Sequence, residues 1–289
     1  MHQVALAPGD RIGRYRVVGV LGRGGMGGVL EVEDGGGGRW AMKSPLMDVD
    51  ASGEVTRRFA REANALRVLD HPNLVGAVDV FVESGQLFLV MEKIIGRTLT
   101  SALPLAPRQA LVLTRQILEG VGHAHLEGLV HRDLKPDNVL LVDMGGWERI
   151  KVIDFGLVKL VGDAAAAYGA SALTRTGVVF GTPAYMAPEQ ALGVMVDERA
   201  DLYAVGVMLH EMLAGAPPFA DPDPHVLMRL QAKAQPPSLH ALTNGAPWCT
   251  PELLALVGIA LAKDPAHRFA TARVMRSALD RAFASIDHI

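Results

Sequence analysis

Six polar side chains stand at spacings suited to phosphoryl chemistry. The segment VHRDLKPDNVLL carries Asp133, Lys135 and Asn138, and KVIDFG adds Asp154 after a short turn. Hard oxygen donors beside a cation suit Mg²⁺ and a triphosphate, and they suit zinc poorly. Upstream, LGRGGMGGVL sets Gly22, Gly24 and Gly27 in a G-x-G-x-x-G pattern followed by Val29. Without Cβ atoms in the way, backbone N–H groups can approach phosphate oxygens closely. A glycine-rich turn also occurs with no ligand, so the pattern is weak alone. A dinucleotide fingerprint would open a helix and a Walker loop would need G-K-[ST]; here the loop runs from strand to strand, which leaves a β-hairpin lid over a nucleotide. Farther on, Trp40-Ala41-Met42-Lys43 ends an apolar strand on a lysine. A lysine at a strand edge more commonly snorkels into solvent. One held in a cleft needs a counter-charge, for which Glu62 is the candidate, and its compact ammonium then addresses phosphates as a point charge. Without that partner Glu62 is one more solvated helix charge.

These residues need two kinds of support. The first hundred residues read as strands, because Arg14 to Val20, Val29 to Glu33, Arg39 to Met42, Val75 to Val82 and Leu87 to Met91 are short β-branched or apolar runs punctuated by glycine. One helix interrupts them, in RRFAREANALRVLD, where Phe59, Ala63, Leu66 and Leu69 fall at helical spacing and His71-Pro72-Asn73 stops it. Beyond about Gly96 the pattern turns helical, roughly over Pro107 to Glu127, Asp201 to Gly215, Pro224 to Ala234, Pro251 to Ala262 and Thr271 to Ala284. Strand-like pieces survive at Val139 to Val142 and Ile150 to Ile153. Gly35 to Gly38, flanked by strands, reads as a hairpin turn.

Composition narrows the class. In 289 residues, 49% are hydrophobic and 20% charged, with a formal net charge of −3, ample for a buried core and unlike a disordered or collagenous chain. The near-neutral balance gives no electrostatic footprint for nucleic acid or an anionic membrane. The one cysteine, Cys249, cannot form an internal disulfide, and neither a membrane-spanning run nor a signal peptide is apparent, so the expectation is a cytoplasmic protein without membrane insertion. Only seven of the 28 basic residues are lysines. Lys43, Lys135 and Lys159 are three of them.

Taken together the motifs resemble the eukaryotic-like serine/threonine protein kinases of bacteria, from about Tyr15 to Phe283, in order and at near-regular spacing. The resemblance implies an α+β, bilobal fold: a tail over 1–9 and a kinase domain over 10–285. That domain divides into a small antiparallel sheet lobe with one regulatory helix over 10–91, a hinge over 92–96 and a larger, mainly helical lobe over 97–285. It implies ATP with Mg²⁺, or Mn²⁺, as cofactors and the Ser/Thr hydroxyls of proteins as acceptors. Asp133 matches the aspartate that orients the acceptor hydroxyl and takes its proton, and Lys135 the lysine that steadies the transferred group. Asn138 and Asp154 match the metal ligands, and Lys43 and Glu62 the ion pair of the assembled active state. Val29, Ala41 and Leu140 match the apolar sandwich around adenine, with Leu21, Gly22, Gly24 and Gly27 in the lid above it. Met91 matches the gatekeeper, and the backbones of Glu92 and Ile94 the hydrogen bonds to the adenine edge.

The same resemblance reaches regulation. Thr174 and Thr176 stand where bacterial relatives are phosphorylated, with Arg132, Lys159 and Arg58 at positions that can face a phosphothreonine, which implies autophosphorylation in trans through a homodimer. Ala187-Pro188-Glu189 closes the activation segment, and Arg268 matches the buried partner of Glu189. Thr182 matches a residue bonded to the catalytic loop, and Asp201 the aspartate that anchors that loop, beside its local reading as a helix N-cap. Glu211 and Asp137 read as solvated charges. His125 is a helix-end residue and His131 a packing residue rather than metal ligands, and Cys249, Met186, Met208 and Met212 fill core space. Two rivals stand beside the kinase. A scaffold without catalysis is disfavoured by the complete set Lys43, Glu62, Asp133, Asn138 and Asp154; a small-molecule phosphotransferase would lack the A-P-E closure.

Overall fold

The computed structural model describes residues 6–24, 27–43, 67–84, 86–154 and 182–286. They fall into two compact units, one of residues up to 71 and 75–95, the other of residues 72–74, 96–154 and 182–286.

The first unit is an antiparallel sheet in the order β1-β2-β3-β4-β6-β5, from β1 (Arg11–Ile12), β2 (Tyr15–Gly24), β3 (Gly27–Glu33), β4 (Arg39–Lys43), β5 (Ala77–Glu83) and β6 (Gln86–Glu92). Alternation of side chains along a strand sorts its residues into two faces. On one face Leu30, Val32, Met42, Phe88 and Val90 join Ile12, Tyr15 and Val17 in a buried core. Stacked rings reinforce it: Phe81 lies 5.9 Å from Tyr15 and 5.4 Å from Phe88. The opposite face carries Val29 across from Lys43, Glu31 across from Ala41, and Met91 across from Ala41 on the other side.

The four glycines do form the β3–β4 turn, but an aspartate organises it. Asp34 accepts hydrogen bonds from the N–H groups of Gly36 (2.9 Å) and Gly38 (2.8 Å) and from Trp40 Nε1 (2.9 Å), and Gly37 has φ +81°, a left-handed conformation that glycine adopts without strain. Those three donors hold the Asp34 carboxyl below its ordinary range. The strand expected from Val75 starts two residues later, because Gly76 is paired through its N–H with Glu92 Oε1 (2.8 Å) and through its carbonyl with the Glu92 N–H (2.9 Å).

The second unit holds a three-stranded sheet of β7 (Arg97–Thr98), β8 (Val139–Asp143) and β9 (Glu148–Val152) and the helices α1 (Pro107–Leu126), α2 (Pro188–Ala191), α3 (Arg199–Ala214), α4 (Pro224–Lys233), α5 (Leu239–Leu242), α6 (Pro251–Ala260) and α7 (Ala272–Ile286). The starts follow capping chemistry: Asp223 and Thr250 accept the N–H groups of His225 (2.8 Å) and Leu253 (3.3 Å), each just ahead of a proline at the first helical position. Helix α3 is apolar around almost its whole circumference and ends at Gly215 with φ +81°. It packs so closely on α6 that a Cβ on Gly206 would stand 2.7 Å from Ala260 Cβ. Met208 and Met212 are fully buried there, and Cys249 is buried with its sulfur 3.0 Å from Thr243 Oγ1. Among the described residues no helix is long and apolar enough to cross a membrane.

The five long helices of the second unit lie within two residues of their expected bounds. The two-residue strands β1 and β7 carry no periodicity to read. Of the regulatory helix expected in RRFAREANALRVLD, residues 57–66 lie outside the described residues, and 67–70, Leu69 included, are turn and irregular backbone rather than helix.

Candidate active site

The loop Leu129–Asn138 and the segment Thr182–Gln190 meet through Lys135 and Gln190, and buried polar contacts fix both. Asp201 lies in the first turn of α3 and is 1% exposed. Its Oδ2 accepts the His131 backbone N–H (2.8 Å) and His125 Nε2 (2.9 Å), and its Oδ1 accepts the Arg132 N–H (2.8 Å). Burial opposes ionisation of this carboxyl, yet the His125 hydrogen bond and charge and the His131 N–H outweigh it, and its pKa falls below the ordinary aspartate value. The anchoring role is present; the N-cap role is not, because Glu198 occupies that position and makes no side-chain cap bond.

Asp201 holds an unusual backbone. Arg132 has φ +63°, a left-handed conformation costly for a non-glycine residue and sustained here by the hydrogen bond on its N–H. Asp154 is also left-handed, at φ +59°. His131 ties the two places together: its Nε2 lies 2.9 Å from the Ile153 carbonyl, while the Asp133 N–H points at its Nδ1 (3.3 Å). Those partners require the neutral tautomer with the proton on Nε2. The fully buried His131 is therefore a bracket between the loop and the strand end before Asp154, beyond packing.

Asn138 completes that bracket. It is 6% exposed, its Nδ2 donates to the Asp133 carbonyl (2.8 Å), and its own carbonyl accepts the Ile153 N–H (2.9 Å). Asn138 and Asp154 thus stand beside one another through paired backbone. Their hard oxygens suit Mg²⁺, which takes one or two protein carboxylates together with phosphate oxygens and water.

Lys135 joins the loop to the second segment. Its Nζ lies 2.8 Å from Thr182 Oγ1 and 3.7 Å from Asp133 Oδ2, and both charged side chains are mostly buried. Gln190 makes a second tie, from Nε2 to the Arg132 carbonyl (2.8 Å), while its Oε1 accepts the Ala187 N–H (3.0 Å). Tyr185 donates its hydroxyl to Glu211 Oε2 (2.7 Å). Glu211 is therefore not a solvated charge: burial, aided by Asp137, pushes its carboxyl up, against the opposing Tyr185 hydrogen bond. Asp137 is exposed, as expected, and accepts from Thr100 Oγ1 (2.9 Å).

Beneath the segment, Arg268 uses all five guanidinium donors. It pairs with Glu189 through two bonds of 2.7 Å and donates to the carbonyls of Ala262 (2.7 Å), Lys263 (3.0 Å) and Arg199 (3.2 Å). A planar fork can serve such a set and an ammonium with three donors cannot.

In the first unit Val29, Ala41, Lys43 and Met91 share one sheet face, with Gly22 across from Val29. Leu21 and Gly22 are exposed on β2, and Gly24 and Gly27 pair at the end of the β2–β3 hairpin. Ala41 and Met91 are buried, and Ile94 is half-buried just beyond β6. The N–H of Glu92 is already engaged with Gly76. Leu140 sits on β8 of the second unit, across from Lys151 and Thr98. Glu62, Thr174, Thr176, Arg58 and Lys159 lie outside the described residues. Sequence reasoning missed Gln190, whose bond to the Ala187 N–H is a local capping pattern but whose tie to the Arg132 carbonyl, 58 residues away, leaves none, and misjudged Glu211.

Known proteins share this architecture. The sequence profile of the protein kinase domain matches residues 15–279. Serine/threonine-protein kinase pkn2 of Myxococcus xanthus is 39% identical over 97% of this chain and 34% of its own length. Serine/threonine-protein kinase PrkC of Bacillus subtilis is 37% identical over 95% of this chain and 41% of its own. The chain thus spans roughly a third to two-fifths of these relatives. The crystal structure of the Mycobacterium tuberculosis PknI kinase domain superposes with a TM-score of 0.74 at 30% identity, covering 96% of this chain and all of that one.

Proposed function

The chain belongs to the protein kinase domain family, and from that premise we propose that it transfers the γ-phosphoryl group of ATP to serine and threonine hydroxyls of proteins. The observation that carries the reading is Lys135 Nζ standing between Asp133 Oδ2 and Thr182 Oγ1. In this reading Asp133 orients the acceptor hydroxyl and takes its proton, while the Lys135 ammonium offsets negative charge gathering on the transferred group. Asn138 and Asp154 would hold Mg²⁺. Val29, Ala41 and Met91 would line adenine, with the Ile94 backbone and the Glu92 carbonyl at its edge. Lys43, held by Glu62, would meet the phosphates under a lid formed by Leu21, Gly22, Gly24 and Gly27. Bound ATP·Mg²⁺ supplies the activated phosphoryl group and neutralises its charge.

Under the same proposal residues 10–285 form the catalytic domain, with 92–96 as its hinge, and autophosphorylation in trans at Thr174 or Thr176 activates it. The cytoplasm is its place of work, which suits a chain whose one cysteine is buried and cannot form an internal disulfide. The experiment is transfer of radiolabelled phosphate from ATP with Mg²⁺ to the chain itself and to dephosphorylated casein. Asp133→Asn should lower transfer at least about a thousandfold while the fold persists. Equal transfer by wild type and variant would overturn the proposal.

A further inference from the structure

Behind the active-site segment runs a chain of hydrogen bonds that the transfer chemistry does not itself require. Lys263, between α6 and α7, donates from Nζ to Tyr203 Oη (3.1 Å) on α3 and to the Gln231 carbonyl (2.8 Å) on α4. Tyr203 Oη in turn lies 2.6 Å from Gln231 Oε1, and Gln231 Nε2 donates to the carbonyl of Ala184. The direction of every bond is forced. An ammonium only donates, so the tyrosine hydroxyl accepts from it and passes its own proton to the amide oxygen, leaving the amide N–H₂ for the carbonyl. Gln231 and Tyr203 are both fully buried, so neither bond can be exchanged for water.

The cation at the head of the chain is costly to keep there. The Phe219 ring face, 4.6 Å from Lys263 Nζ, attracts it, but burial together with the Arg268 charge still brings its pKa down to about 8. A charge held against that cost polarises the hydroxyl and amide it touches, and bonds in such a chain strengthen one another.

What the chain holds is specific. Ala184 is the middle of the Pro183–Tyr185 turn, which follows Thr182 directly, and Thr182 is the residue that Lys135 joins to Asp133. A protein hydroxyl presented to Asp133 brings its flanking backbone past this half-buried turn. A nucleotide and a water molecule have no such backbone. We infer that Gln231, supported by Tyr203 and Lys263, is a positioning residue for the acceptor protein, fixing the turn on which the acceptor chain rests; this rests on the kinase reading above.

Gln231→Glu is the sharpest test, because a carboxylate still accepts from Tyr203 and faces Lys263 but repels the Ala184 carbonyl. With dephosphorylated casein as acceptor, KM for casein should rise about tenfold, the effect of one lost hydrogen bond to a positioned group. KM for ATP and the slow hydrolysis of ATP by water should stay within about twofold of wild type. An unchanged KM for casein overturns the inference, as does a parallel fall of casein phosphorylation and ATP hydrolysis, which would mean a general structural role. Should Gln231→Glu fail to fold, Tyr203→Phe interrupts the chain while keeping the amide, and a rise of about threefold in the casein KM alone is expected; no rise overturns the inference. A wild type that neither phosphorylates itself or casein nor hydrolyses ATP would sink the kinase reading and this inference with it. A fully active wild type with indifferent variants would sink this inference alone.

Discussion

On the sheet of the first unit Arg16 and Arg39 pair with Glu33 and Glu31 at 3.2 and 2.9 Å, and both arginine side chains are 52% exposed; in the second unit Arg268 meets Glu189 at 2.7 Å with none of its side chain exposed. Lys93 extends the surface ladder to Glu31 (2.8 Å), as Arg199, Ala262 and Lys263 extend the buried clamp through their carbonyls. The same charge chemistry serves two ends. A pair in water gains little from its Coulomb attraction and loses little when broken. A buried pair has already lost its hydration, so its geometry is enforced by the cost of leaving either partner alone. The enforced kind lies beneath the proposed reacting groups: Arg268 under the segment that carries Thr182, and Asp201 under the loop that carries Asp133.

The largest expected effect is therefore at the clamp. Arg268→Met should lower unfolding stability by about 3 to 5 kcal/mol, read by urea denaturation, because it strands Glu189 and three carbonyls. Arg268→Lys should recover only part of that, since three donors face five acceptors. A cost below about 1 kcal/mol would erase the distinction between clamp and ladder.

Asp201→Asn comes next. It keeps the side chain's size but places an N–H₂ against backbone N–H donors, at a cost of about 2 to 3 kcal/mol and with a large fall in phosphoryl transfer. Here pH gives a second reading. The folded pKa of Asp201 lies below its unfolded value, so its contribution is complete above the ordinary aspartate pKa of about 4 and drains away as pH falls through the folded value. The stability gap between wild type and variant should be widest near neutrality and narrow in acid. A gap that widens in acid would mean that Asp201 is not held ionised.

These two regions were also unequally legible. In VHRDLKPDNVLL the candidate groups lie within one short stretch, whereas their anchor Asp201, 69 residues after Arg132, was legible only through the family resemblance. The clamp was readable because Arg268 and Glu189 each sit in a recognisable local motif. Glu211 was misread because its helix is apolar on nearly every side: with no polar stripe, periodicity cannot say that one carboxylate turns inward to Tyr185. Gln231 was invisible for a related reason. A glutamine in an amphipathic helix looks like surface, and only the approach of Ala184, 47 residues earlier in the chain, makes it a buried donor. Asp34 was overlooked beside four glycines, although its carboxylate gathers the N–H groups of Gly36 and Gly38 and the Trp40 indole that close the turn.

The smallest expected effect tests the other half of the comparison. Arg16→Ala removes a pair with Glu33 whose two side chains keep 52% and 25% of their surface in water. Glu33 does not become a stranded charge, because water replaces the guanidinium and Arg39 stands 4.0 Å away. The expected loss is below about 1 kcal/mol, and the difference from wild type should shrink further at high ionic strength, where an exposed pair is screened. Arg268→Met should keep its full penalty in the same salt. If the Arg16→Ala penalty instead matched that of the clamp and persisted in salt, the ladder would be a structural element of the sheet, and exposure would no longer explain why the two units place their charges so differently.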